Sequence, residues 1–302
     1  MQRIAFGISW SFIKILGLIP ESLIYRQVRI LAWFLRRCLK YRKKVLYGNL
    51  IRVFPDLTPD ALEKLAKANY RILATTLLES LRGFTMSNEM LLQRFTIKNG
   101  ELLNRYASEG KSTVLLSSHI GNWEWAALGM AQQLDPPVYG IYKPLTNSYL
   151  ESYVLKTRGA FGLHLIPVKQ TAQAVKACQE KPGCLVLVAD QSPGKIAKAI
   201  WTPFFGIETP FVHGPEEIAR ENNWPVLYGD IRCTGQGRYT MEIELLVENP
   251  QQVPDGAITR AYAKKLENII RNNPADWLWS HRRWKKVEQI TQQPEHSSPI
   301  QE

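Results

Sequence analysis

The sequence predicts a single α/β catalytic domain, a mostly parallel central sheet flanked by helices, preceded by a basic and apolar membrane-anchoring helix or helices. Three observations carry that expectation. Along the body of the chain, apolar runs of strand length alternate with helix-length segments, the order that builds a parallel sheet. Some of those runs, such as CLVLVAD at 184–190, are apolar nearly throughout, as a strand covered on both faces must be. Finally, the net charge of +11 is concentrated at one end: residues 1–44 hold ten Lys or Arg against Glu21 alone, a balance of +9, which leaves +2 for the rest.

The amino-terminal segment reads IAFGISWSFIKILGLIP and then SLIYRQVRILAWFL, with Trp10, Tyr25, Trp33 and Phe34 interleaved among the basic residues. Lys14 and Arg29 interrupt these runs before either reaches the roughly 18 uncharged residues of a spanning helix. An interfacial hairpin or one short inserted helix is expected instead, with RRCLKYRKK held against anionic headgroups on the cytoplasmic side. The competing reading is an amphipathic helix packed on the protein's own core. No small-residue cleavage site marks a secretory signal peptide. The expected organisation is an anchor at 1–44, a catalytic domain at 45–290 and a disordered polar tail at 291–302, TQQPEHSSPIQE.

Residues 59–82 have helical periodicity with acids near the start, Arg82 near the end and Gly83 as a stop. STVLLSS, 112–118, is rich in β-branched and aliphatic residues and predicts a short buried strand. NWEWAALGMAQQL, 122–134, predicts a helix capped by Asn122 and stopped at Asp135-Pro136-Pro137. Beyond it come a strand in PVYGIYK, a helix at 147–157, a strand in LHLIPV, a helix at 171–180 and the strand at 184–190. VLYGDIRC and RYTMEIELLV are read as further strands, and a helix is expected near 257–272. The four cysteines, at 38, 178, 184 and 233, form no Cys-x-x-Cys pair and no metal-type cluster, so free thiols are expected.

This layout places His119 where a strand turns into a helix, at the carboxyl edge where ligand sites of open α/β sheets gather. Glu124, five residues on, falls in the first helical turn, where the positive end of the helix favours an ionised carboxylate. An ionised Glu124 accepting from one ring nitrogen would fix the tautomer and free the other nitrogen as a general base. The competing reading is a loop histidine beside an unrelated surface glutamate. Asp190-Gln191 end another predicted strand and Lys143 follows a third, so each is a candidate on the same edge; a turn or cap is the alternative for Asp190. Arg158, just before Gly159, either caps helix carbonyls or binds an anionic group of a substrate. The run PADWLWSHRRWKK, 274–286, reads as a solvated helix end or as a phosphate grip near a membrane.

The ordered set HIGNWE, KTRGAFG, LVADQSPG, FFG at 204–206 and WLWSHRRWK resembles the late acyltransferases of lipid A biosynthesis, the lauroyl and myristoyl transferases of outer-membrane bacteria. The resemblance runs from about residue 20 to 286 and includes YRKKVLYGNLIRVFP. It implies a glycerolipid-acyltransferase-like fold on the cytoplasmic face of the inner membrane, an acyl-carrier-protein thioester as donor, and a hydroxyl of a lipid A precursor as acceptor. It also implies that His119 is the base, Glu124 its orienting acid, Arg158 an essential basic residue, and Asp190 with Gln191 a support of the site. Backbone amides of Ile120-Gly121-Asn122 are candidate oxyanion donors. No cofactor, metal or nucleotide is expected, since no glycine-rich phosphate loop is present, and no nucleic acid. Alternatives are a transferase of the same fold acting on a mannosylated or amino-acid lipid, a membrane-bound hydrolase or thioesterase in which His119 activates water, and a non-catalytic basic binding protein.

Overall fold

The structure, a computed structural model, describes residues 2–291; of the tail expected at 291–302, only Thr291 lies within them. Helices α1 (Gln2–Leu18), α2 (Glu21–Arg37), α3 (Lys43–Val53), α4 (Pro59–Gly83) and α5 (Asn88–Leu92) precede the sheet. There follow β1 (Phe95–Lys98), α6 (Glu101–Ser108), β2 (Thr113–Ser117), α7 (Trp123–Gln133), β3 (Val138–Tyr142), α8 (Ser148–Gly159), β4 (His164–Pro167), α9 (Thr171–Glu180) and β5 (Cys184–Val188). The chain closes with β6 (Ala199–Phe204), β7 (Ile207–Val212), α10 (Gly214–Asn222), β8 (Val226–Gly235), β9 (Arg238–Val247), α11 (Ala257–Asn272) and α12 (Lys285–Thr291).

The main sheet runs β1-β9-β8-β2-β5-β3-β4, and only the β8–β9 pairing is antiparallel, so the expected mostly parallel α/β architecture is what the chain adopts. Its centre explains the uninterrupted apolar runs. Successive side chains of a strand point to opposite faces, and in β2 Val114 and Leu116 enter one apolar core while Leu115 enters the other. Both faces of β2 are therefore dry. Neither β1 nor the β6–β7 hairpin is anticipated by the sequence reading. β1 is a four-residue edge strand, and β6 carries Pro203, a residue tolerated only at a sheet edge. The hairpin turns on Phe205 and Gly206, both at positive φ, which places the FFG motif at a tight two-residue loop.

The amino-terminal segment is partly built into the fold. α2 sets Ile24, Val28, Ala32 and Leu35 on one stripe and buries them against α4. Tyr25 donates to Glu79 of α4 at 2.6 Å. The opposite face leaves Leu23, Ile30, Trp33 and Phe34 exposed among Arg26, Arg29 and Arg37. α3 crosses the boundary expected at residue 44. Among the described residues no helix is long and apolar enough to cross a membrane.

One close contact limits how α7 lies on the sheet edge: a Cβ added at Gly129 would stand 2.3 Å from the Phe95 ring of β1. Overfilling so tight a contact forces neighbours out of their wells. Gly129→Val is expected to destabilise the protein by about 1–3 kcal/mol, seen as a lower urea midpoint at unchanged m.

Candidate active site

Parallel pairing brings the central pair together. β2 and β5 are in register with Ser117 opposite Val188, so two residues further on His119 and Asp190 leave the sheet side by side. His119 Nδ1 lies 2.7 Å from Asp190 Oδ1, and the His119 amide donates to Oδ2 at 3.0 Å. The indole N–H of Trp277 donates to the same Oδ2 at 2.8 Å. Asp190 is only 2% exposed, and a buried carboxylate is tolerated when its lone pairs are filled in this way.

Burial alone would raise the Asp190 pKa, but the neighbouring imidazole, its hydrogen bond, the Trp277 indole and the His119 amide outweigh it and hold the carboxyl at about 2. Burial likewise disfavours the charged imidazole, yet the Asp190 charge, the hydrogen bond to it and the Glu124 charge together raise the His119 pKa. An ionised Asp190 only accepts, so Nδ1 carries the proton and Nε2 presents its lone pair. Gln191 Nε2 sits 3.2 Å from that nitrogen. A neutral imidazole so oriented can take a proton at Nε2 while Asp190 steadies the charge that results.

Glu124 does not hold the imidazole, contrary to the expectation. It occupies the first turn of α7 but pairs with Arg158 from the last turn of α8, and strand register puts Asp190 at Nδ1 instead. Glu124 reaches His119 only through its field. Arg158 is thus in the site as Glu124's partner. Asn122 is fully buried; its Oδ1 caps Trp125 N–H at 3.0 Å and its Nδ2 donates to Glu79 at 2.9 Å, so its side chain shapes the turn and offers nothing to a ligand. The amide of Ile120 is taken by Ser118 O at 2.9 Å, which removes it from the candidate oxyanion donors. Gly121 is at φ +61° with Ile231 closing on its Cα, so no side chain is accommodated there. Lys143 follows β3 and is exposed to solvent, and no hydrogen bond joins it to His119 among the described residues.

Sequence reasoning missed two supports. Glu79 is 1% exposed and accepts from Tyr25 of α2, Asn122 of the turn and Tyr239 of β9, while its backbone carbonyl takes the Trp125 indole. The segment 277–284 is no solvated helix end: Trp277, Trp279, Arg283 and Trp284 are buried, and Trp277 stacks edge-on with Trp279 and Phe204 at 4.7 and 5.9 Å. The signal was present in the three tryptophans, since a buried indole N–H needs an acceptor. His281 Nε2 accepts from the Ser192 amide at 3.1 Å, and burial holds its pKa down at about 4, which keeps it neutral and pins the loop after Gln191. Trp125 is core, while Trp123 stands edge-on to the His119 ring at 5.1 Å.

The pair should show in stability against pH. His119, raised above 6.5, contributes fully below that value and loses its contribution as pH rises through the raised one; Asp190, lowered from 3.8, contributes above 3.8 and loses it as pH falls towards about 2. The stability gap between wild type and Asp190→Asn, read by urea unfolding, is therefore expected to be widest between those two ordinary values and to narrow on both sides.

Residues 3–286 match the family described as bacterial lipid A biosynthesis acyltransferase. The chain is 22% identical over 285 residues to a lipid A biosynthesis lauroyltransferase of Escherichia coli K12, covering 93% of this chain and 92% of that one. It is 22% identical over 254 residues to a lipid A biosynthesis palmitoleoyltransferase of the same strain, 83% of this chain and 81% of the relative. It is also 23% identical over 245 residues to a phosphatidylinositol mannoside acyltransferase of Mycolicibacterium smegmatis, 79% and 78% of the two chains. The match extends from the first turn of α1 through the tryptophans that support Asp190, and the chain belongs to the bacterial lipid A biosynthesis acyltransferase family.

Proposed function

We propose that this acyltransferase moves a fatty acyl chain from an acyl-carrier-protein thioester to a hydroxyl of a lipid A precursor, with His119 as general base. The observation that carries the reading is the 2.7 Å contact between His119 Nδ1 and the buried Asp190 carboxylate, which calls for the proton on Nδ1 and leaves Nε2 as the basic nitrogen at the open end of the sheet. An acceptor hydroxyl replaces Gln191 at Nε2 and gives up its proton there as its oxygen attacks the thioester carbonyl. The tetrahedral oxyanion needs fixed donors, and the backbone amides at the amino-terminal end of α7, which begins at Trp123, are the candidates. Collapse breaks the C–S bond, and the departing thiolate takes the proton from the imidazolium. Asp190 orients; Glu124, neutralised by Arg158, adds a weaker field at the mouth. The phosphatidylinositol mannoside relative makes the acceptor lipid the variable to assay.

Membrane attachment at the cytoplasmic face of the inner membrane belongs to the same proposal. The apolar surface of α1 and α2, with Trp10, Ile15, Leu18, Ile30 and Trp33 exposed beside basic residues, supports an interfacial seat. Because α2 is bonded to Glu79, the informative deletion is residues 2–18. Release of that variant from sedimented membranes is expected, with folding retained; undiminished sedimentation counts against the seat.

Mass spectrometry of a lipid A precursor incubated with acyl-carrier-protein donors is expected to show the gain of one acyl chain, reduced roughly 10²–10⁴-fold in His119→Ala. The rising limb of kcat/KM with pH is expected above the ordinary histidine value of 6.5. Asp190→Asn should move that limb to lower pH and Glu124→Gln should move it less, because Asp190 supplies the larger part of the field. A larger displacement in Glu124→Gln would return the orienting role to Glu124. Transfer to no lipid, with free fatty acid released instead, would indicate hydrolysis.

A further inference from the structure

Where α10 begins, three side chains that take no part in the arrangement around His119 bring metal-binding atoms together. One such atom from each of His213, Glu216 and Asp255 lies within 4.8 Å of the other two. His213 immediately precedes α10, Glu216 stands in its first turn, and Asp255 lies just before α11. His213 Nε2 is 3.1 Å from Asp255 Oδ1, and Nδ1 faces Glu217 at 3.6 Å. Among the described residues no lysine or arginine forms an ion pair with Glu216, Glu217 or Asp255. Arg260 gives its guanidinium to the Asp255 backbone carbonyl at 2.8 Å and leaves that carboxylate alone.

The Glu216 carboxylate is what points to a ligand. The residue is only 1% exposed. Its Oε2 accepts from the Thr259 amide at 2.9 Å and from the Thr259 hydroxyl at 2.5 Å, which caps α11 where Gly256 offers no side chain. Its Oε1 is buried as well and has no hydrogen-bond partner among the described residues. Capping a helix occupies one carboxylate oxygen, so it accounts for Oε2 and leaves Oε1 bare. A bare carboxylate oxygen out of water is costly, and a bound cation removes that cost. With Oε2 taken by Thr259, Oε1 is the oxygen that Glu216 has to share with His213 and Asp255. Asp255 is exposed, so an ion reaches the group from solvent.

We propose that His213, Glu216 and Asp255 bind one divalent transition-metal ion of the zinc class, which fastens α10 to the start of α11. One imidazole nitrogen with two carboxylate oxygens suits zinc and its neighbours, whereas magnesium and calcium take oxygen ligands. Bonds of about 2.0–2.2 Å let one ion bridge atoms roughly 4 Å apart, and rotation of the exposed Asp255 side chain closes the set. The ion takes the place of the contact between Nε2 and Asp255. Nδ1–H is then left facing Glu217, as a carboxylate commonly steadies a metal-bound imidazole. The sequence reading expects no metal, because Asp255 is too far along the chain from His213 and Glu216 to complete a recognisable motif. The ion supports the fold and takes no part in the proton transfer: α11 carries Tyr262, whose hydroxyl donates to the Ser117 carbonyl at 2.9 Å, two residues before His119.

The test uses the full-length protein without an affinity tag and zinc chloride as the probe. Calorimetry is expected to show one zinc bound per chain, with His213→Ala and Asp255→Asn each weakening binding at least about tenfold. Asp255 is exposed, so Asp255→Asn keeps the test open even where His213→Ala does not fold. Zinc at about a hundred times its Kd is expected to raise the Tm of wild type by about 5 °C, and the same concentration to raise that of Asp255→Asn by no more than half as much. X-ray absorption is expected to show nitrogen and oxygen neighbours at about 2.0–2.1 Å and no sulfur. Sulfur at about 2.3 Å would assign the zinc to the exposed thiols of Cys38 or Cys233 and overturn the site. So would equal affinity in all three proteins, no binding at millimolar zinc, or magnesium binding as tight as zinc, which would mark an acidic patch only. None of these readouts needs acyl transfer, so they decide the site whether or not the proposed reaction holds.

Discussion

The pairing of the His119 imidazole with a buried Asp190 is the interaction on which the rest of the site depends. A carboxylate out of water is costly unless its lone pairs are filled and a positive partner stands close. Here a parallel register between β2 and β5 supplies the partner, and the Trp277 indole and His119 amide supply the remaining donors. Removing one member of such a buried pair costs about 3–5 kcal/mol because the other is left uncompensated. That explains why so much of the carboxy-terminal chain is committed to Asp190. Trp277, Trp279 and Trp284 pack with Phe204 into one aromatic cluster, and the Trp284 indole is fixed on Thr209 at 2.9 Å.

Arg283 belongs to the same arrangement. It is fully buried, its guanidinium lies 4.2 Å from the centre of the Phe211 ring, and its nitrogens have no hydrogen-bond partner among the described residues. Burial pushes its pKa down to about 10, and the charge of Asp190 resists that fall. A cation held by a ring face and a nearby carboxylate is a weakly solvated arginine rather than a paired one. The field it feels is the field that also holds His119 ready for protonation.

Glu79 connects the amino-terminal helices to the catalytic turn. By accepting from Tyr25, Asn122 and Tyr239 it links α2, the cap of α7 and β9 through one buried side chain. The Asn122 cap it steadies is itself worth about 1 kcal/mol. The position of α7, and with it Glu124 and the amides after Gly121, thus depends on a helix whose outer face is apolar and exposed. Segment and site are one structural unit even though their compositions differ so sharply.

Local chemistry was enough to reveal the strands at 113–117 and 184–188, the cap at Asn122, the turn that carries His119 and the helix at 59–83, because apolar period, capping residues and glycine stops act over a few neighbouring residues. The same logic placed His119 and Asp190 on one edge of the sheet. It chose Glu124 as the partner of the imidazole, and the structure puts Asp190 there. Glu124 is near in sequence but aims at Arg158, while Asp190, 71 residues away, is brought in by strand pairing. Nor could it find Glu79, a lone acid on a helical face whose donors come from three distant elements, or see that the three tryptophans and Arg283 of WLWSHRRWK are core. By itself the sequence determined the fold class, the charge asymmetry and the residue types available for proton transfer. Only the tertiary structure decided which carboxylate holds the imidazole and which carboxylates gather at His213, because both are set by long-range register and burial, which no short stretch of chain encodes.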